Sequence, residues 1–209
     1  VGFTLHHDER HLAARITKLL VRFGAVAATY DRPDRHSLEV KAASTPLAFL
    51  LIGLVGRGAR SKRVPAQVLN GPPQVRQGFL DGLLDGDGKN PNRESNVRGR
   101  RDLKTASRSL AWGVRALLAD IGYWATVTTG ESQSTFPWGK GTQSYRWYML
   151  SFQPNRRYSR TLDDDRYVYR PISAVEPVDL DAEVFNFEVE DDNSYVSDFV
   201  LHNCEAYLA

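Results

Sequence analysis

Cysteine occurs once in the 209 residues, at Cys204. A single thiol excludes an internal disulfide and any cysteine-based zinc cluster. A thiol that must stay reduced suits the cytosol, so a cytoplasmic setting is expected. No stretch of eighteen apolar residues occurs, which argues against a membrane-spanning helix and a membrane partner. No charged-apolar-small leader opens the chain, and its first residue is Val1, so it reads as part of a longer product. Lysine and arginine are absent from 171–209, a stretch with ten acidic residues. Residues 1–170 therefore hold all 27 basic residues against 15 acidic ones, a formal balance of +12. So lopsided a segment fits a phosphate-backbone partner better than a solvated surface of mixed charge.

What the chain does contain begins with a repeat. Leu12, Ile16, Leu19, Leu20, Phe23 and Gly24 recur 98 residues later as Leu110, Val114, Leu117, Leu118, Ile121 and Gly122. Each set is an apolar helical stripe closed by a glycine suited to the left-handed cap. A strand-like segment follows each stripe, at 25–30 and at 123–128, and Leu5 matches Leu103 at the same shift.

Between the stripes lies Gly78-Phe-Leu80-Asp-Gly82-Leu-Leu-Asp85-Gly86-Asp87-Gly88. Gly78, Gly82 and Gly86 recur every four residues, which strips one helix face of side chains and lets another backbone come close. Each interior glycine costs a helix about 1 kcal/mol, so the bare face implies a requirement. Asp87 falls at the helix C-terminus, where the dipole disfavours a carboxylate unless a cation is near. A calcium loop starting at Asp85 fails on spacing, because Lys89, Asn90 and Asn96 stand where ligand, glycine and glutamate are needed.

Leu80–Gly88 resembles the LAGLIDADG motif at Leu80, Gly82, Leu83, Asp85, Asp87 and Gly88. Leu84 and Gly86 are conservative replacements, and Asp81 departs at a position usually small. The resemblance implies an α+β fold in which residues 1–130 form most of a DOD-type homing endonuclease domain of the kind carried inside inteins. Such domains pair two αββαββα repeats, and each motif helix gives one acidic residue to a Mg²⁺-dependent centre that cuts double-stranded DNA. Asp87 matches that metal-binding acid. Ser61-Lys62-Arg63-Val64-Pro65 resembles the Lys-x-Ile-Pro block of these enzymes, which assigns an active-site role to Lys62; Lys140 is a weaker counterpart for the second repeat. The run Arg93, Arg98, Arg100, Arg101, Lys104 and Arg108 is the candidate DNA contact. Shifting Asp87 back by one repeat lands before Val1, so the first motif helix is expected to be missing.

The chain's last candidate site is His202-Asn203-Cys204. An asparagine side chain can close on its own main-chain carbonyl and cleave the bond that follows, given a group to protonate the leaving amine. His202 is placed for that, and Cys204 is a nucleophile able to accept an acyl group. Residues 184–201 read as two alternating strands, 184–189 and 195–201, about a polar turn at 191–194. With the triplet they resemble the C-terminal splicing block of inteins. That implies the C-terminal part of an all-β Hint splicing domain at 165–203, after a strand-containing linking region at 131–164. Residues 204–209 would begin the C-extein. Loops are expected at 131–144 and 153–165. The resemblance further implies an N-terminal intein portion as partner, upstream or as a separate half. Two departures stand out: Asn193 replaces a common histidine, and Asn186 a more frequent aspartate. The alternatives are a non-catalytic DNA-binding protein on a degenerate scaffold and a Hedgehog-like autoprocessing domain.

Overall fold

The computed structural model describes residues 1–88, 99–135, 141–153, 162–163, 168–169, 171–172, 174–177, 179, 181–183, 194–196 and 200–202. The chain divides into two compact units, Val1–Pro154 and Asn155–Ala209.

The first unit is α+β and contains one motif twice. β1 (Gly2–His6), α1 (Arg10–Arg22), β2 (Val26–Arg32) and β3 (Ser37–Ala43) form the first copy. β4 (Arg101–Thr105), α5 (Arg108–Asp120), β5 (Thr126–Thr135) and β6 (Thr142–Phe152) form the second. Both antiparallel sheets run in the same order, β1-β3-β2 and β4-β6-β5, each with its helix packed on one face. Between them run α2 (Thr45–Val55), the single turn α3 (Ala66–Leu69) and α4 (Pro73–Asp87).

The helix ends explain why the repeat was visible in sequence. Gly24 and Gly122 take φ of +74° and +82°. In the first copy Ala25 N donates to Leu20 O and Gly24 N to Val21 O; in the second Tyr123 N donates to Leu118 O and Gly122 N to Ala119 O. Both are Schellman ends, in which a left-handed glycine lets the chain turn back onto the last carbonyls.

Each copy has its own core. Ala13, Leu20, Leu38 and Val40 centre the first; Leu80, Leu103, Val114, Leu117, Leu118 and Leu150 centre the second. The cores are unequally covered. Leu117 is fully buried, whereas its repeat mate Leu19 is 43% exposed. The difference traces to α4, which brings Leu80, Leu83 and Leu84 against α5 and β4, while α1 has no such cover among the described residues.

Three expectations need correction. The boundary drawn at 130 falls inside β5, because residues 126–135 pair with 142–151 in one hairpin that belongs to the first unit. For the same reason 131–135 and 142–144 are strand rather than loop: cross-strand pairing overrides a Ser/Thr-rich composition. Third, 195–201 is not one strand. In the second unit β9 (Ser194–Val196) and β10 (Val200–His202) pair as a hairpin, and β7 (Leu162–Asp163) pairs with β8 (Val168–Tyr169). Each expected αββ unit shows one strand before its helix among the described residues. An isolated antiparallel bridge from Gly88 to Leu103 marks where the chain turns back beside β4 in the second copy.

The unequal cores predict unequal mutations. Leu117→Ala removes fully packed side-chain atoms and should cost about 2–5 kcal/mol. Leu19→Ala at the matching position should cost less than about 1 kcal/mol, because much of that side chain already meets water. Urea unfolding of both variants against the parent checks this.

Candidate functional site

α4 sets the site. Leu80 is its buried anchor, and Gly78, Gly82 and Gly86 line an exposed face. A Cβ built at any of these three would meet nothing within 4 Å, so the bare face is open rather than packed. Asp81, the departure from the motif, accepts a 2.8 Å hydrogen bond from Gln77 Nε2 on the solvent side. Asp85 pairs at 3.4 Å with Arg15 of α1, and both side chains are exposed.

Asp87 is the last helical residue, and its Oδ2 lies 3.4 Å from Lys62 Nζ. Two residues singled out separately, 25 apart in sequence, therefore meet. Both side chains are about half exposed, 46% for Lys62 and 52% for Asp87. An ion pair so wet contributes no more than about 1 kcal/mol. It does not hold the loop in place; other contacts do. Val64 is buried in the second core against Gly113, where a Cβ would lie 2.7 Å from Val64 Cγ2. Arg63 N donates to Val55 O at 3.0 Å. Ser107 is fully buried, donates its hydroxyl to Lys62 O, and accepts from Leu110 N at 3.2 Å as the N-cap of α5. One serine thus caps a helix and pins the backbone of the lysine that faces Asp87.

The basic residues divide between faces. In β4 Leu103 points to the core, so Arg100, Asp102 and Lys104 share the open side of the sheet. Arg100 donates to Asp102 Oδ1 at 2.8 Å and Ser151 Oγ at 2.7 Å. The Lys104 ammonium lies 4.5 Å from the Trp147 ring centre, and Trp147 Nε1 donates to Ser132 Oγ at 2.9 Å. Arg101 lies on the helix side, lining a cavity of about 200 Å³ with Gln77, Asp81 and Leu84. Arg108 opens α5 and is exposed. Arg93, Arg98 and Lys140 lie outside the described residues. The open side of the first sheet has a similar character: Lys41 sits 5.7 Å from the Tyr30 ring centre and 2.7 Å from Glu39 Oε2. The Lys41 hydrogen bond, aided by the charges of Lys41 and Arg32, holds the Glu39 carboxyl below the usual glutamate range. Glu39 is therefore ionised at neutral pH and offsets part of that cationic face; protonation in acid would release it.

Residues 74–151, from α4 through β6, match the family described as the LAGLIDADG-like domain. At 29% identity over 220 aligned positions, the chain is similar to ATP-dependent DNA helicase Hel308 of Thermococcus kodakarensis, covering 97% of this chain and 20% of the relative. It is 26% identical over 216 positions to an iron-sulfur cluster assembly SufBD family protein of Mycobacterium bovis, covering 98% and 24%. A DNA polymerase of Thermococcus hydrothermalis is 29% identical over 122 positions, covering 58% and 7%. The chain thus spans about a quarter or less of the length of these relatives. Among solved structures, mesophilic variants of the homing endonuclease I-DmoI align over 74% of this chain and 73% of theirs, at 12% identity and a TM-score of 0.49. I-DmoI in complex with DNA and Ca aligns over 74% and 68%, at 13% and 0.49.

The matched residues include Asp87, Arg100, Arg101, Lys104 and Arg108; Lys62 lies upstream of them. In the second unit His202 closes β10, opposite Ser194. Asn203, Cys204, Asn186 and Asn193 lie outside the described residues. Ser107 was missed in the sequence, although a serine three residues before an apolar stripe is an N-cap signal. Its contact with Lys62 spans 45 residues, and no local pattern announces it.

Ser107→Ala should cost about 1–3 kcal/mol, because the cap is lost and the buried Lys62 carbonyl loses its donor. Ser107→Thr, which keeps the hydroxyl, should recover part of this. Thermal unfolding measures the cost, and the rate of amide exchange at 61–64 should rise in the alanine variant.

Proposed function

We propose that this chain is the C-terminal part of an intein: a LAGLIDADG-type DNA-cleaving element joined to the block that completes protein splicing. The observation that carries the DNA-cleaving half is the meeting of Lys62 and Asp87 at the end of a helix with a bare glycine face. The unequal cores support it further. A second motif helix, supplied from upstream, would cover Leu12, Ile16 and Leu19 as α4 covers their repeat mates, and would bring the partner acid.

The donor set fits the expected Mg²⁺. A single half-exposed carboxylate suits an ion that keeps several waters and is completed by phosphate oxygens. Asp87 would hold it, and when bound it supplies positive charge that stabilises charge building on the phosphate. The chain's own groups do the rest. Lys62, fixed through Ser107, offers an ammonium donor to phosphate oxygens beside Asp87. Its present ion pair is weak enough to give way. Lys104 and Arg100, on an open sheet face, would grip the backbone of double-stranded DNA, with neighbouring side chains reading bases.

The splicing half draws support from the relatives. A helicase, an iron-sulfur assembly protein and a polymerase have unrelated names, yet each shares a segment with this chain that is a small part of its own length. An inserted, self-removing element accounts for that pattern. In this reading the Asn203 side-chain nitrogen attacks its own carbonyl carbon, the bond to Cys204 breaks, and His202 gives the leaving amine its proton. Cys204 is the thiol that takes the upstream acyl group from the N-terminal portion. The products are a succinimide-ended intein and a host chain in which the acyl group passes from the Cys204 thiol to its freed amine, restoring a peptide bond and the thiol in the reducing cytoplasm.

The decisive experiment fuses a reporter after Ala209 and follows its release from the purified chain. Release of a fragment beginning at Cys204, abolished in Asn203→Ala and slowed in His202→Ala, is the expected result. Release that survives Asn203→Ala unchanged refutes the splicing reading. One further observation favours a rival for the other half: Asp87 already has a cationic partner, as a non-catalytic DNA-binding scaffold would require. Asp87→Asn distinguishes them in the chain extended upstream. Loss of Mg²⁺-dependent cleavage with retained DNA binding supports the nuclease, and an extended parent that binds DNA but never cuts it supports the scaffold.

A further inference from the structure

Where β1 turns into α1 in the first copy, His6, His7 and Asp8 bring one ligand atom each to within 4.8 Å of one another. We propose that this turn is a binding site for a divalent transition metal of the zinc class. It is separate from Asp87 and independent of any DNA or splicing chemistry.

The distances suit such an ion. Bonds of about 2.0–2.2 Å in a tetrahedral shell place neighbouring ligand atoms roughly 3.3 Å apart. Here His7 Nε2 is 2.9 Å from Asp8 Oδ1, and His6 Nδ1 is 3.4 Å from Asp8 Oδ2. Ligand identity favours zinc-class ions over Mg²⁺, because two imidazoles and one carboxylate are borderline donors. His6 Nδ1 also accepts a hydrogen bond from Asp8 N at 3.4 Å. Its lone pair is directed at the Asp8 amide, and a bound ion would take the place of this long contact.

The rest of the turn is built to hold the three residues. His7 N donates to His36 O at 3.1 Å, and the His36 ring lies 5.6 Å from that of His7. His36 is the one non-glycine residue with positive φ, +48°, among those described. His7 Nδ1, the ring nitrogen not facing Asp8, is shielded from solvent and has no hydrogen-bond partner among the described residues. Glu9 Oε2 takes the His6 N–H at 2.8 Å, which fixes the start of the turn. The matching turn of the second copy is different. Lys104, Thr105 and Ala106 stand at the positions shifted from His6, His7 and Asp8, and the Thr105 hydroxyl accepts from the backbone N–H of Ser107, the cap of α5. In the first copy Glu9, at the cap position, makes no side-chain cap bond to α1. The His-His-Asp set is therefore not explained by helix capping. With three protein ligands, solvent or an added donor would complete the shell.

Titration of the full 209-residue chain with Zn²⁺, followed by calorimetry and repeated with Co²⁺ by visible absorption, tests the site. One equivalent should bind, with the Co²⁺ bands of a low-coordinate nitrogen-oxygen site. Cys204→Ala and Asp87→Asn should leave this unchanged, which separates the turn from the other two candidate centres. His7→Ala should weaken binding by roughly tenfold or more, since even outer-shell changes at metal sites cost that much. Circular dichroism of that variant should match the parent, because the turn is on the surface. No binding by the parent, binding unaffected in the His6→Ala/His7→Ala double variant, or binding lost in Cys204→Ala would each overturn the proposal.

Discussion

The packing of α4 onto α5 is the contact on which the rest of the first unit depends. Leu80 and Leu118 are each 1% exposed and Leu117 is fully buried. Burying a leucine side chain is worth about 1.5–3 kcal/mol, against at most about 1 kcal/mol for the exposed Lys62–Asp87 pair. The core therefore positions the charges, and the charges do not position the core. Because Leu80 and Asp87 are seven residues apart, two turns of one helix, seating the leucine fixes where the carboxylate emerges. The loop bearing Lys62 is seated by the same core through Val64, and by Ser107 at the cap of the helix that α4 covers.

That arrangement makes the glycines of α4 informative. Three interior glycines weaken a helix by about 1 kcal/mol each, a cost comparable to burying one leucine. Nothing among the described residues approaches them. Meanwhile Leu19, repeat mate of the fully buried Leu117, is 43% exposed. On the proposed reading, a glycine face without a neighbour and an apolar stripe without a cover would be two halves of one contact. A single helix of the same pattern as α4 would satisfy both, its leucines on α1 and its own small residues on Gly78, Gly82 and Gly86. The 3.4 Å Arg15–Asp85 pair links α1 to α4.

How legible this was in the sequence depended on the range of the interactions involved. The stripes at Leu12–Phe23 and Leu110–Ile121 were readable because helix periodicity and a left-handed glycine are local signals, and the two Schellman ends lie where those signals put them. Asp87 and Lys62 were each singled out by a short motif, but their meeting was not legible, since it depends on Ser107 and Val64 reaching across the fold. The β5–β6 hairpin was hidden for another reason. Thr126–Thr135 alternates hydroxyls and small residues with few large apolar ones, because one side of the sheet is open. Its strand state comes from pairing with Thr142–Phe152, and from Gly130, which leaves room for the Trp147 ring. In 195–201 the apolar alternation suggested one strand, yet pairing of Val196 with Val200 folds it into two.

Charge separation gives a physical reason for the two proposed activities to coexist in one chain. The ten acidic residues and absent basic ones of 171–209 repel a phosphate backbone, whereas the +12 balance of 1–170 attracts it. DNA would therefore be steered toward the residues that carry Lys62, Lys104 and Asp87 and away from the splice junction.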